Sequence, residues 1–270
     1  MLSNIKLIAI DLDGTLLNSQ DRITAHTRDV LRKAIKQGYV VVIGTGRPYR
    51  RSKRYYEQLN LETPLINYHG ALVHHPRNPT WGNFHSPLGS SITQGIIEKA
   101  QSFGVRNIFV DVRDSDLYLQ SYHKELMRRF FNPRHLNICL LRDFSYSPAT
   151  SVLIYPFRHN YQALKEHLYH RFYGEIRIIQ WGPPWNLVEI VTHDVNKALG
   201  LSYICKQYDI HSENVISFGN AENDMEFIDF AGVGVAMENA IPQLKEKASF
   251  VTASNDNDGV AQFLEQQLLL

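Results

Sequence analysis

The chain has 270 residues, 44% of them hydrophobic and 20% charged, with a formal net charge of +1. That length buries the core of one large domain or two modest ones. The near-neutral balance removes the general electrostatic case for nucleic acid or an anionic membrane as partner, and two cysteines, Cys139 and Cys205, do not make a disulfide framework.

No apolar run approaches the roughly 20 residues of a membrane helix. Asp11 and Asp13 break the N-terminal apolar run early, which makes a poor signal peptide, so a cytoplasmic protein is expected. In chain order, Ile5 to Ile10 is a short apolar run ending in Asp11-Leu12-Asp13-Gly14-Thr15, the pattern of a strand buried on both faces. A helix is predicted from Thr24 to Gln37, stopped by Gly38. Tyr39 to Ile43 reads as a second buried strand, closed by Gly44-Thr45-Gly46, and a basic helix then runs to Leu59. This alternation is the signature of a parallel sheet.

From Trp81 to Glu189 the chain changes character. Amphipathic strands (Asn107 to Val112, Leu117 to Tyr122, Ser151 to Tyr155, Glu175 to Gln180, Asn186 to Val191) alternate with helices near Ser91 to Phe103 and Asn160 to Phe172. Pro-rich stretches flank the segment, His75 to Pro79 before it and Gly182 to Pro184 near its end. The last third returns to the first style. Helices are predicted at Asn196 to Tyr208, Glu222 to Phe230, Ala240 to Lys247 and after Asp258, with strands at Val215 to Phe218, Gly232 to Ala236 and Ser249 to Thr252. The expected architecture is α/β: a Rossmann-like parallel-sheet core from 1–82 and 190–270, and an inserted α+β domain over 83–189.

Several motifs carry chemistry. Asp11 and Asp13 stand two apart at a strand end, so both carboxylates can face one site, and ligands of open parallel sheets bind beyond the carboxyl ends of the strands. Such crowding calls for a cation or a shared proton. The rival readings are a solvated acidic turn and a calcium loop. The second fails, because Leu16 replaces the turn glycine and Arg22 the terminal acid. Gly44-Thr45-Gly46-Arg47 offers a hydroxyl and backbone amides to an anion. It is not a dinucleotide fingerprint, since Tyr49 stands where the third glycine belongs, and no Gly-Lys pair supplies a Walker loop. Lys197 opens a helix and could reach the same sheet edge, or could be an ordinary solvated lysine. Gly219-Asn220-Ala221-Glu222-Asn223-Asp224 supplies oxygens and amides, or simply caps a helix. Arg47, Arg50, Arg51 and Arg54 are expected to form a solvated basic face that draws anionic substrate rather than nucleic acid. The clustered histidines (His69, His74, His75; His167, His170) lack a zinc pattern, and Trp181 with Trp185 reads as aromatic packing.

Taken in order, these motifs resemble the haloacid dehalogenase superfamily of phosphatases, and more closely its Cof-type branch, whose cap is inserted between the second and third motifs. Asn67-Tyr68-His69-Gly70-Ala71, Gly234 to Ala240 and Asp258-Gly259-Val260-Ala261 also look like that branch. The resemblance implies a phosphomonoester hydrolase acting on a small phosphorylated metabolite, with a sugar phosphate or related compound favoured. It implies Asp11 as nucleophile through an aspartyl-phosphate and Asp13 as general acid and base. Leu12, Thr45, Gly46, Lys197 and Asn223 would hold the phosphoryl oxygens. Mg²⁺ would be bound by Asp11, Asp13 through its carbonyl, and Asn220, with Asp224 in support. Two departures stand out: Asn220 occupies a position where the family usually has an acid, and His69 one where the branch commonly has asparagine. Asn220 keeps open the alternative of a phosphorylated-ligand binding or sensing protein with reduced catalysis.

Overall fold

A computed structural model describes residue 2 and residues 4–122, 136–181 and 186–268. The chain divides into two compact units: Met1–Arg47 with Ser52–Phe84 and Asn196–Leu270, and Pro48–Arg51 with His85–Val195.

The first unit begins with strand β1 (Leu7–Asp11), every residue of which is buried. Helix α1 (Ala25–Lys36) follows, capped by Thr24, whose hydroxyl accepts the Thr27 N–H. Its buried residues, Thr27, Val30, Leu31 and Ala34, fall at the spacing of one helical stripe. Strand β2 (Val40–Gly44) leads to α2 (Tyr49–Leu59), and then come three short strands, β3 (Leu65–Asn67), β4 (Leu72–His74) and β5 (Asn83–His85). The hairpin of β3 and β4 is antiparallel, where the sequence suggested no strand. Three-residue strands are too short to show a periodic pattern.

In the second unit helix α3 (Ser90–Ser102) precedes strands β6 (Asn107–Val112), β7 (Asp116–Leu119), β8 (Asn137–Leu140) and β9 (Ser151–Tyr155). Helix α4 (Tyr161–Arg171), β10 (Ile176–Gln180) and β11 (Val188–Thr192) complete it. The six strands form one sheet in the order β10-β11-β9-β6-β7-β8. Alternate residues such as Ile108, Val110, Val152, Ile154, Val188 and Ile190 share a core with Ile96, Leu164 and Leu168 of the two helices. Trp181 packs against the cluster around Phe109 and Leu153, and its indole N–H donates to Glu189 at 2.9 Å. Residues 182–185, including the other half of that aromatic motif, lie outside the described residues.

The chain then returns to the first unit with α5 (Lys197–Tyr208), β12 (Val215–Gly219), α6 (Met225–Phe230), β13 (Val233–Met237), α7 (Pro242–Lys247), β14 (Phe250–Thr252) and α8 (Gly259–Leu268). The core sheet runs β14-β13-β12-β1-β2-β3-β4-β5. Parallel pairing from β14 through β3 sets Ile10 beside Phe218 and Asp11 beside Gly44. The carboxyl ends of β12, β1 and β2 therefore lie side by side. Among the described residues no helix is long and apolar enough to cross a membrane.

Candidate active site

The register places three of the sequence motifs along one sheet edge. Asp11 ends β1, Thr45 and Gly46 follow β2, and Asn220 follows β12. Lys197, the first residue of α5, comes to the same edge because Asn196 caps that helix, its side chain accepting the Leu199 N–H at 2.8 Å.

Lys197 is not a solvated surface lysine. Its side chain is 1% exposed, and Nζ donates at 2.5 Å to Oδ1 of Asp11 and at 2.5 Å to Oδ1 of Asp224. The other Asp224 oxygen accepts the backbone N–H groups of Asn220 and Ala221, at 2.9 and 3.0 Å, which closes the loop after β12 onto itself. Burial is the largest influence on the Asp11 carboxyl, and the neighbouring Asp224 charge adds to it. Against the opposing pull of Lys197, the two push its pKa up to about 7. The same two carboxylates hold Lys197 cationic despite the larger opposing effect of its burial. Two buried acids share one lysine, so this pocket still favours a further positive charge.

Asp13 sits differently. Its side chain is 57% exposed, and Arg47 grips both of its oxygens, with Nε on Oδ2 at 2.8 Å and Nη2 on Oδ1. Arg47 also donates to Asp21 at 2.8 Å, and Arg54 pairs with the same Asp21. Within the second unit Arg50 pairs with Asp111 and Asp114 and is nearly buried. The basic stretch is thus only in part the solvated face expected from sequence: the Arg54 side chain is 61% exposed, but those of Arg47 and Arg50 are not. Arg47 and Arg50 are consumed by acids far away in the chain, which no local pattern reveals.

The Asn220 side-chain oxygen accepts the Thr15 hydroxyl at 3.1 Å. Thr45 is fully buried; its hydroxyl accepts the Arg47 N–H at 3.1 Å and its carbonyl the His69 N–H at 3.1 Å. Asn223 Nδ2 lies 3.3 Å from His69 Nδ1. Leu12 follows Asp11 directly and is buried. Among the described residues no three His, Cys, Asp or Glu side chains cluster as a metal cage.

Two supporting residues escaped the sequence reading. Asn239 donates to the Gly14 carbonyl at 2.8 Å and so pins the loop after Asp13. Asn67, fully buried, donates to the Arg47 carbonyl at 2.7 Å and to Ser52 at 3.0 Å. Both lie in segments that carried the family resemblance, which was their only signal.

A parallel sheet with a buried Asp-Lys-Asp trio at its carboxyl edge and an inserted α+β unit defines a class, and the comparisons agree with it. The chain belongs to the haloacid dehalogenase-like hydrolase family, whose sequence profile matches residues 8–264, and several of its relatives are phosphatases. The 5-amino-6-(5-phospho-D-ribitylamino)uracil phosphatase YitU of Bacillus subtilis (strain 168) is 38% identical over 266 residues, 98% of each chain. A second phosphatase from that organism with the same described activity, YwtE, is 29% identical over 98% of each chain. Among solved structures, a haloacid dehalogenase-like hydrolase from Bacteroides thetaiotaomicron superposes with a TM-score of 0.85 at 26% identity, covering 97% of this chain and 99% of that one.

Proposed function

We propose that the protein is a Mg²⁺-dependent phosphomonoester hydrolase acting on a small phosphorylated sugar or sugar-alcohol derivative. The observation that carries this reading is the buried trio of Asp11, Lys197 and Asp224 beside the Thr45 loop. A carboxylate nucleophile and a phosphate repel each other, so attack needs preorganised positive charge at the point of contact. Lys197 supplies part of it from a position that water does not screen.

In this reading Asp11 attacks phosphorus while the bond to the leaving alkoxide breaks. Asp13 gives that oxygen a proton. In the second step water attacks the aspartyl-phosphate, Asp13 takes a water proton, the bond from phosphorus to Asp11 breaks, and inorganic phosphate leaves. The amides of Leu12 and Gly46, the Thr45 hydroxyl, Lys197 and Asn223 hold the phosphoryl oxygens. To serve, Asp13 must loosen its two bonds to Arg47, so substrate arrival has to rearrange that pair.

Mg²⁺ takes hard oxygens, often only one or two carboxylates with carbonyls and retained waters, so a three-acid cage is not required. Asp11, the Asp13 carbonyl, Asn220 and Asp224 fit that chemistry, and two buried carboxylates sharing the single charge of Lys197 favour a cation among them. When bound, the ion neutralises charge on the nucleophile and the phosphoryl group. Asn220 brings an oxygen without charge, which supports weaker metal binding than an acid would give, and it is the one feature that favours a ligand-binding protein with reduced turnover.

The substrate class rests on YitU and YwtE, whose described substrate carries its phosphate on a ribityl chain. The test is phosphate release from that compound, sugar phosphates, nucleotides, flavin mononucleotide and p-nitrophenyl phosphate, with and without Mg²⁺, beside Asp11→Asn. Metal-dependent release that vanishes in Asp11→Asn is expected, with the ribityl phosphate ranked high. A folded protein that releases no phosphate at saturating Mg²⁺ would move the assignment to the binding protein.

A further inference from the structure

Tyr68, His69 and Gly70 form a tight turn in which all three residues have positive φ, at 48°, 57° and 109°. Glycine accepts this backbone freely, but tyrosine and histidine do so only when their surroundings over-determine it, and such strain gathers at functional sites. The surroundings here belong to the phosphoryl site. The His69 N–H donates to the Thr45 carbonyl at 3.1 Å, and the Tyr68 N–H to the Arg47 carbonyl at 3.4 Å. Gly70 approaches the cap of the Lys197 helix so closely that a Cβ there would lie 2.1 Å from the Asn196 carbonyl oxygen.

The His69 side chain completes the arrangement. Its ring is buried against Gly46, where a Cβ would lie 2.2 Å from Cε1, so the ring fits only because residue 46 has no side chain. Nδ1 lies 3.3 Å from Nδ2 of Asn223, a bond that holds the Asn223 amide in one rotation. One turn thus touches the Thr45-Gly46 loop, the start of α5 and Asn223.

We propose that His69 is a positioning residue of the phosphoryl site, setting the Asn223 amide and bracing the Gly46 backbone. This rests on the phosphatase reading, in which Asn223 and Gly46 hold phosphoryl oxygens. In this arrangement the site's grip on phosphate depends on the His69 ring.

The test is a double-mutant cycle of His69→Ala, Asn223→Ala and the pair. Its readouts are inorganic phosphate binding by calorimetry and the separate KM and kcat for p-nitrophenyl phosphate, with thermal unfolding of each variant as the check on folding. A hydrogen bond to a charged group predicts roughly tenfold weaker phosphate binding for each single variant. If His69 acts through Asn223, the pair loses roughly tenfold as well, not the hundredfold product expected of independent sites. KM should rise more than kcat falls, and His69→Gln should recover part of the loss. Should the alanine variant unfold, His69→Asn, which accepts the left-handed backbone, takes its place in the cycle. Full additivity, or unchanged phosphate binding in a folded His69 variant, overturns the proposal while leaving the phosphatase reading intact. A wild type that neither turns over p-nitrophenyl phosphate nor binds phosphate overturns both.

Discussion

At the scale of single residues, charge balance at the sheet edge decides what the site can do. Lys197 compensates two buried carboxylates, and breaking a buried pair by removing one partner is far costlier than exchanging surface charges. Lys197→Met should therefore lose on the order of 3 kcal/mol in urea unfolding. Adding Asp224→Asn should recover much of it. A Lys197→Met protein as stable as wild type would sink the account of the trio. Asn220 invites the opposite change. Asn220→Asp adds a formal charge beside Asp11 and Asp224, so it should lower the melting temperature without metal. It should also bind Mg²⁺ roughly tenfold tighter, since a unit charge a few ångströms from the ion is worth at least that much. The readout is the size of the Mg²⁺-induced rise in melting temperature, which should exceed that of wild type. No larger rise would mean that position 220 does not face the ion. Asp11, Lys197 and Asn220 were legible in the sequence because each sits where a strand ends or a helix begins, and that local signal survives folding. The grip of Arg47 on Asp13 was not legible, because it joins residues 34 apart whose approach depends on sheet order.

At the scale of elements, α1 is held at its start by side chains from the far end of the chain. Thr24 caps it, and Asp258, at the start of α8, accepts hydrogen bonds from the hydroxyls of Thr24 and, at 2.8 Å, Thr27. Thr24→Ala should cost about 1 kcal/mol, a few degrees of melting temperature for a chain of this size. His26 adds a pH-dependent tie. The hydrogen bond to Glu265 is the main cause of its raised pKa, helped by the charges of Glu265 and Asp258. A raised histidine pKa contributes stability that is fully present below the ordinary value near 6.5 and fades as pH rises through the raised one. Wild type should therefore exceed His26→Gln in melting temperature at pH 6 and converge with it in mildly alkaline buffer. A gap that does not change with pH would rule out the ion pair as its source. A long element such as α1 could be read from sequence because its buried residues fall on one helical stripe. The β3-β4 hairpin could not, and neither could β8, whose four residues are largely half-buried and show no alternation.

For the whole molecule, two histidines, one in each compact unit, are expected to make the fold sensitive to acid. In the first unit the Asn67 amide gives its protons to the Arg47 carbonyl and Ser52, so its oxygen is the acceptor for His74 Nε2 at 3.1 Å. That places a proton on Nε2, and burial, with the neighbouring His75 adding to it, pushes the ring's pKa down to about 4. In the second unit His85 Nε2 lies 3.0 Å from the Thr150 hydroxyl, and burial, with Arg113 adding to it, pushes its pKa down to about 4 as well. A depressed histidine pKa gives stability that is present above the unfolded value near 6.5 and is lost as pH falls toward the folded one. Both units should therefore weaken together between pH 6.5 and 4, with His74, the more buried of the two, responsible for roughly 1–3 kcal/mol. The measurement is the urea midpoint from pH 7.5 down to 4.5 for wild type, His74→Gln and His85→Gln. Each variant should start less stable at pH 7.5 and show a flatter decline, because the group that resists protonation is gone. Variants that fall as steeply as wild type would mean that neither histidine sets the decline.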